Sequence, residues 1–224
     1  MSTRSQAENY IKLGLVKVNN KVILKPGFAV SSEDALQLVG EQYVSRAALK
    51  LASIASQFDL DLRGKTVLDV GSSTGGFTDY ALQHDAKKVV AVDVGTDQLH
   101  ASLRGNPKVE LYEKTDIREF KSVIKFDYIV ADVSFISLTM ILPAITKFSN
   151  DKTLLIMMCK PQFEAGRNQI NKGIVKNSAI RRAVLKDFEK WLLVNNFKIL
   201  DKADSHVAGT KGNVERFYKL SIRG

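Results

Sequence analysis

Apolar and polar residues alternate with two different periods in the N-terminal part of the chain. Arg4–Gly14 places apolar residues at helical spacing and ends at a glycine, which predicts a helix with a glycine C-cap. Leu15–Val30 then alternates apolar and polar residues, with Asn19-Asn20 and Pro26-Gly27 as turn signals. This second pattern predicts a hairpin of short strands.

The rest of the chain alternates short apolar runs with helical stretches. After a predicted helix from Ser45 to Phe58, apolar runs predict strands at 66–70, 88–93, 109–112, 126–132, 154–160, 197–205 and 214–221. Strands that alternate with helices are typical of a doubly wound, Rossmann-like α/β sheet, and the last two runs predict an antiparallel pair at its edge. We therefore expect a small α+β module at 1–42 and an α/β domain at 43–224.

Composition limits the classes of protein that the chain can be. Its 224 residues are 45% hydrophobic and 25% charged, as in ordinary globular proteins. One cysteine, Cys159, and three scattered histidines argue against a disulfide or a metal site, so no metal is expected. No run of about 18 apolar residues and no apolar N-terminal stretch occur, so we expect a cytoplasmic protein without membrane contact.

The net charge of +9 is concentrated at the C-terminal end. Residues 1–42 hold five Lys/Arg against four Asp/Glu, residues 43–159 fourteen against fourteen, and residues 160–224 fourteen against six. A basic surface confined to one part of a protein suits a polyanion partner such as RNA. A solvated, lysine-rich helix face is the alternative interpretation.

A glycine-rich turn lies between the first predicted strand of the large domain and its helix, in "VLDVGSSTGGFTDYAL" (Val67–Leu82). Ser73 stands where a dinucleotide fingerprint needs its second glycine, which argues against close pyrophosphate contact, and no Gly-Lys-Ser/Thr follows to form a P-loop. The next strand ends at Asp93 in "AVDVG". An acid at that place can accept both hydroxyls of a ribose.

These motifs resemble those of a known family. "LDVGSSTGGF" and "AVDVG" are similar to the first two S-adenosylmethionine motifs of class I methyltransferases. "VSRAALKL", "VADVSFISL", "MCKPQFEAG" and "GNVERF" resemble, in order, the motifs of FtsJ-like ribose methyltransferases, most closely the TlyA or hemolysin A subfamily. "RSQAENYIKLGLVKVNNKVILKPGFAV" resembles the alpha-L RNA-binding domain of that subfamily. The resemblance implies methylation of a ribose 2′-hydroxyl in structured, chiefly ribosomal, RNA, with S-adenosylmethionine as cofactor.

The resemblance also implies a catalytic tetrad of Lys50, Asp132, Lys160 and Glu215, each inside its matching motif. A ribose hydroxyl is a poor nucleophile, and a lysine can accept its proton when burial and cationic neighbours favour the neutral amine. We expect Lys160 to be this base and Asp132 to orient it, while Lys50 and Glu215 position the hydroxyl. Taken alone, Lys50 would be read as a solvated lysine and Glu215 as part of a strand-face salt bridge.

The cofactor is expected to contact the two glycine-rich motifs, Asp132, and Asp116 of "TDIREF", which lies where class I methyltransferases contact the adenine. The candidate cofactor-binding residues are Asp69, Gly71, Ser72, Ser73, Gly75, Gly76, Phe77, Asp93, Val94, Asp116 and Asp132. Phe77 could instead pack in the protein interior. Phe135 is expected to pack, although it could also border the cofactor. Cys159 is expected to be a buried strand residue.

Two other functions stay open at this point. An RNA-binding assembly factor with little turnover is disfavoured by the intact tetrad, and a haemolysin by the lack of a membrane span or export signal. Only Met1-Ser2-Thr3 precede the alpha-L stretch, so the module is expected to be short, and to lean on the catalytic domain or to move relative to it. RNA contacts would then shift to the basic C-terminal third, around Arg181 and Arg182. The sequence leaves the oligomeric state and the target nucleotide open.

Overall fold

A computed structural model of the chain describes residues 4–12, 14–39, 43–175, 177–207 and 212–223. The helices are α1 (Arg4–Lys12), α2 (Arg46–Ala55), α3 (Gly76–Gln83), α4 (Leu138–Ile145), α5 (Pro161–Glu164) and α6 (Ser178–Val194), with short 3-10 turns at Thr146–Phe148 and Arg167–Gln169. The strands are β1 (Val16–Val18), β2 (Lys21–Val22), β3 (Leu36–Leu38), β4 (Thr66–Val70), β5 (Lys88–Val92), β6 (Val109–Tyr112), β7 (Tyr128–Ala131), β8 (Leu154–Cys159), β9 (Ile170–Asn171), β10 (Ile174–Val175), β11 (Phe197–Asp204) and β12 (Arg216–Ile222).

The N-terminal module consists of α1 and a small sheet of order β2-β1-β3. The predicted helix and hairpin are confirmed: Gly14 follows α1 with a left-handed φ of 72°, and Asn19 and Asn20 form the turn between β1 and β2 with φ of 49° and 66°. Both asparagines adopt the left-handed conformation that a tight hairpin requires. The sequence analysis did not predict β3, which pairs antiparallel with β1.

Tyr10 connects this module to the larger domain. Its ring is 1% exposed and belongs to a core cluster that includes Leu51 and Phe58. Its hydroxyl accepts a hydrogen bond from the Tyr43 backbone N–H at 2.9 Å. These contacts favour a module that leans on the larger domain, one of the two expected arrangements.

The larger domain is built on a seven-stranded sheet of order β6-β5-β4-β7-β8-β12-β11. The strands β4 to β8 run parallel, and β12 runs antiparallel between β8 and β11. The predicted doubly wound sheet with an antiparallel pair at one edge is confirmed, and the strand that opposes the others lies one position in from that edge.

Helices cover both faces of this sheet. One core cluster contains residues of α2 and α3 and the other contains residues of α4 and α6, so Val67 and Leu68, neighbours on β4, are buried on opposite faces. Because both faces are covered, the central strands β5, β7 and β8 are nearly continuous apolar runs whose residues are almost all buried. Within the described part of the chain, no helix combines the length and apolar character that a bilayer crossing requires.

Candidate active site

Three adjoining cavities open at the carboxyl ends of β4, β5, β7 and β8. Two measure about 350 Å³ each and the third about 140 Å³. Asp132 and Ser134, in the loop after β7, line all three. The carboxyl ends of parallel strands, at the point where the strand order reverses, are where ligands bind in this class of fold.

The first cavity, called here the catalytic cavity, is lined by Lys50, Asp132, Lys160 and Glu215. The four side chains form two ion pairs, with Lys160 Nζ 2.6 Å from Asp132 Oδ1 and Lys50 Nζ 3.0 Å from Glu215 Oε1. The structure thus brings together four charged residues that come from four separate segments of the chain.

The Lys50–Glu215 pair is the more deeply buried of the two. The side chains are 6% and 3% exposed. Glu215 Oε2 is also buried, and no donor among the described residues reaches it. A buried carboxylate oxygen without a donor is costly, so this atom is suited to receive a hydrogen bond from a ligand.

Lys50 is held in place by the way α2 begins. The Ser45 hydroxyl caps the helix by accepting the Ala47 N–H, and the Val44 N–H donates to Asp79 Oδ2 at 2.7 Å on α3. A Cβ atom at position 76 would overlap Ser45 Oγ and would lie 2.8 Å from Ala47 Cβ. The glycine therefore lets α3 pack closely against the start of α2.

Lys160 contacts a second acceptor besides Asp132. Its Nζ donates to Ser134 Oγ at 2.7 Å, whereas the contact with Asp132 Oδ1 is a close charge pair rather than a well-aligned hydrogen bond. The Phe163 ring centroid lies 5.9 Å from Nζ and 5.2 Å from the ring of Phe135. Phe135 is 91% exposed and borders both large cavities, so the expected packing role is wrong, and its place at the second cavity fits the alternative that it borders the cofactor.

The second cavity, called here the cofactor cleft, follows the glycine-rich turn. Of the predicted cofactor residues it is lined by Gly71, Ser73, Asp93, Val94, Asp116 and Asp132. Gly71 has a left-handed φ of 78°, and a Cβ there would lie 3.1 Å from the backbone oxygen of Asp132. Only glycine allows the two loops to approach so closely.

Asp93 ties the glycine-rich turn to the end of β5. One carboxylate oxygen accepts the Ser73 N–H at 2.8 Å and the other accepts the Gly95 N–H at 2.6 Å. Each oxygen keeps a lone pair for a further donor, as ribose recognition by this residue requires.

The third and smallest cavity lies between the first two. It is lined by Asp69, Gly71, Ser72, Ser73, Gly76, Phe77 and Asp132 of the predicted cofactor set. Asp69 is 1% exposed, and burial raises the pKa of its carboxyl to about 7, with the Asp132 charge adding to the shift and a hydrogen bond from Thr78 opposing it. Asp69 Oδ1 and Ser72 Oγ are buried and have no hydrogen-bond partner among the described residues.

Comparison with known proteins agrees with this geometry. Residues 43–221 match the model of the FtsJ-like methyltransferases, and residues 2–36 match that of the S4 domain. The chain belongs to the FtsJ-like methyltransferase family.

Relatives of the chain are similar over most of its length. It is 45% identical over 82% of its length to the 23S rRNA (cytidine-2'-O)-methyltransferase TlyA of Campylobacter jejuni, covering 72% of that protein. It is 37% identical over 97% of its length to the 16S/23S rRNA (cytidine-2'-O)-methyltransferase TlyA of Mycobacterium tuberculosis, covering 84% of it. A solved structure from Streptococcus thermophilus, named as a candidate hemolysin, aligns over all of this chain and 84% of its own with a TM-score of 0.78 and 38% identity.

Some predicted cofactor residues of this FtsJ-like chain have clear structural roles as well. Gly75 lines none of the three cavities and is the N-cap residue of α3, with a left-handed φ of 91°. Phe77 is 2% exposed with its ring 6.2 Å from that of Phe217, so it packs in the core while bordering the smallest cavity. The Asp116 carboxylate accepts from the Arg118 guanidinium, which lowers the pKa of Asp116. Val94 is 71% exposed at the cleft.

Other residues that line the catalytic cavity were not predicted from the sequence, among them Arg46, Ser134, Gln162 and Asn213. Arg46 could have been found from spacing, because it lies one helical turn before Lys50 and so shares its face of α2. Ser134 lies two residues after Asp132 in the same motif. Cys159 is buried in β8 as expected, and burial raises the pKa of its thiol. Within the described ranges no group of metal-ligating side chains forms a metal site.

Proposed function

We propose that this protein transfers a methyl group from S-adenosylmethionine to a ribose 2′-hydroxyl in ribosomal RNA, in the cytoplasm. The observation that carries the proposal is the convergence of Lys50, Asp132, Lys160 and Glu215 on one cavity that adjoins the glycine-rich cofactor cleft. The C. jejuni and M. tuberculosis relatives, named as rRNA (cytidine-2'-O)-methyltransferases, support this activity. In this proposal residues 1–42 bind RNA and residues 43–224 carry the reaction.

The side chains of the cofactor cleft and the smallest cavity fit S-adenosylmethionine. Asp93 would hold the ribose hydroxyls of the cofactor, and Gly71 lets the glycine-rich turn approach the backbone of Asp132 in the loop after β7. Asp69 Oδ1 and Ser72 Oγ lack partners in a buried, polar cavity, which suits the charged amino-acid end of the cofactor. When bound, S-adenosylmethionine supplies an electrophilic methyl group on a positively charged sulfur.

Lys160 and Asp132 are placed to handle the proton of the substrate hydroxyl. Lys160 Nζ lies 2.6 Å from Asp132 Oδ1 and borders the catalytic cavity, where the substrate hydroxyl would lie. The ion pair fixes the position of this amine beside the hydroxyl. Acting as a neutral amine, Lys160 would take the 2′-hydroxyl proton, and the bound cofactor would supply the methyl group that the hydroxyl oxygen receives.

Lys50 and Glu215 are placed to position the ribose. Glu215 Oε2 accepts a hydrogen bond from a ribose hydroxyl, and the ion pair with Lys50 prevents Glu215 from turning away. Arg46, half-buried at the mouth of the cavity, adds a positive charge beside the incoming phosphodiester.

Transfer of a tritiated methyl group to purified ribosomal subunits tests the proposal. We expect the label to appear in RNA, in alkali-resistant dinucleotides, because a methylated 2′-oxygen cannot attack the neighbouring phosphodiester. Label on a base or on protein would overturn the assignment. Binding of RNA without transfer would support the assembly-factor alternative, and leakage of liposomes would support the haemolysin alternative.

A further inference from the structure

The acidic residues of the segment 160–224 are all engaged within the protein. Asp204 accepts from Arg181 at 2.6 Å and from Arg216 at 2.7 Å, and Glu189 from Lys202 at 2.9 Å. Each of the other acids also has a partner: Glu164 contacts Ser137, Asp187 contacts Lys190, Asp201 contacts Gln57, and Glu215 contacts Lys50. Arg181, expected to contact RNA, is therefore occupied in an internal network, and the exposed cations nearby keep an uncompensated charge.

Three of these cations form a row on α6. Arg182, Lys186 and Lys190 are exposed and lie four residues apart, which places them on one face of the helix over about 12 Å. Among the described residues, the side chains of Arg182 and Lys186 make no ion pair or hydrogen bond, whereas Lys190 makes a 3.5 Å contact with Asp187. We refer to these three residues as the α6 ridge.

The ridge begins next to the catalytic cavity. Arg181 Nε donates to the backbone oxygen of Val214, the residue before Glu215. Asn213, which lines the cavity, accepts the Val175 N–H of the strand that precedes α6. The first turns of α6 are thus attached to the segment that carries Glu215, so an RNA strand with one ribose in the cavity would pass over Arg182.

We propose that the α6 ridge binds the phosphodiester backbone of the substrate RNA next to the target nucleotide. The proposal rests on the function proposed above and names the surface that positions its substrate. Cations in a row along a helix contact successive phosphates without reading bases, so they set the register of the RNA rather than its sequence. A membrane surface is a poorer partner, because the apolar face of α6, including Val184, Leu185 and Phe188, is buried in the core and unavailable for insertion.

The test compares two double variants that remove the same charge. The ridge variant carries Arg182→Ala and Lys186→Ala, and the control carries Lys121→Ala and Lys152→Ala. The two control lysines are exposed, precede β7 and β8, and line none of the three cavities. Binding of both variants to purified 23S ribosomal RNA is measured at a series of salt concentrations, with S-adenosylmethionine affinity as a check on folding.

The ridge variant should bind the RNA roughly tenfold more weakly, and the slope of log affinity against log salt should fall by about 1.5, since two phosphate contacts are lost. Its kcat at saturating RNA and its cofactor affinity should match those of the control. If both variants bind alike, the ridge is a solvated helix face and the proposal is wrong. Binding of both variants to phosphatidylserine vesicles is measured in parallel. If the ridge variant loses vesicle binding but not RNA binding, the α6 ridge contacts lipid and the proposal is wrong. If the wild-type protein binds RNA through the α6 ridge but transfers no methyl group, the proposed function is wrong and the proposed role of the ridge still holds.

Discussion

Glu215 and Arg216 are adjacent in the chain but belong to opposite sides of the sheet, because consecutive strand residues point to opposite faces. Glu215 faces the catalytic cavity, is 2% exposed, pairs with Lys50 and keeps one oxygen without a donor. Arg216 faces α6, is 24% exposed in its side chain, and shares Asp204 with Arg181. The two residues thus belong to ion-pair systems of opposite character.

We interpret the difference as one between charges that are placed for a ligand and charges that stabilise the fold. The network on the α6 side is half-exposed and its acids are satisfied, so it fastens α6 to β11 and β12. The pairs at the cavity are buried, and Glu215 Oε2 lacks a hydrogen-bond partner there. An incompletely satisfied buried group costs stability, and such groups concentrate at functional sites.

The largest effect is expected at Lys160. Lys160→Ala should lower kcat by about 10²–10⁴-fold, the usual contribution of a general base, while cofactor affinity stays nearly unchanged. Tritiated-methyl transfer and calorimetry measure the two quantities. Lys198→Ala, which removes an exposed lysine outside the cavities, serves as the control. Equal turnover by the Lys160 variant would exclude this residue from the mechanism.

The Lys50–Glu215 pair should show the largest effect on stability. Lys50→Met leaves the Glu215 carboxylate buried without its cation, which should cost about 3–5 kcal/mol of the free energy of unfolding. Adding Glu215→Leu removes the stranded charge and should restore much of that loss without restoring methyl transfer. Urea unfolding measures both variants. If Lys50→Met alone is as stable as the double variant, the unpaired Glu215 carboxylate does not destabilise the protein and the prediction is wrong.

Asp69 should make stability depend on pH. Burial raises its pKa to about 7 from a usual value of 3.8, so the folded protein binds this proton more tightly than the unfolded chain. Its contribution is therefore complete below about pH 4, falls as the pH rises towards 7, and can reach about 4 kcal/mol. Unfolding at pH 5 and pH 8 should show a decline that Asp69→Asn reduces and that the exposed Asp151→Asn leaves unchanged. A decline that persists in Asp69→Asn would assign it to other groups.

Asp93 tests the cofactor cleft. Asp93→Ala should weaken S-adenosylmethionine binding by about 1.5–3 kcal/mol, because charge-assisted hydrogen bonds to the ribose are lost. Asp93 also receives the Ser73 and Gly95 N–H groups, so Asp93→Asn separates loss of charge from loosening of the turn. Calorimetry measures each affinity, and binding of NAD in place of S-adenosylmethionine would contradict the assignment.

The central parallel strands could be predicted closely from the sequence because they are mostly apolar and buried on both faces, whereas the edge strand β6 is only half-buried. The predicted strands at 66–70 and 109–112 match β4 and β6 to the residue. The strand β3 is three residues long and largely exposed, so it leaves too short a pattern to predict. The small N-terminal sheet is therefore defined by its pairing rather than by hydrophobic periodicity.

The candidate site could be predicted only in part. The motifs gave the tetrad residues, but the contact of Lys50 with Glu215 joins positions 165 residues apart and has no local signal. Phe135 is an aromatic residue of a type usually buried, yet it is exposed at the cavity rim and has a left-handed φ of 65°, which the sequence does not indicate. Arg181 and Arg182 look alike in sequence, and only the positions of Asp204 and Val214 show that the first is internal.

The smallest effect is expected at Arg216, the residue after Glu215. Arg216→Met should cost only about 1 kcal/mol of stability, because its pairs are half-exposed and Asp204 keeps Arg181 as a partner. Methyl transfer should stay within about twofold of wild type, since Arg216 faces α6 and not the cavity. Urea unfolding measures the stability and the transfer assay measures the activity, with Lys50→Met as the comparison for both. If Arg216→Met instead abolished transfer while the protein stayed folded, the α6 network would be part of the active site, and the division between the two sides of β12 would not hold.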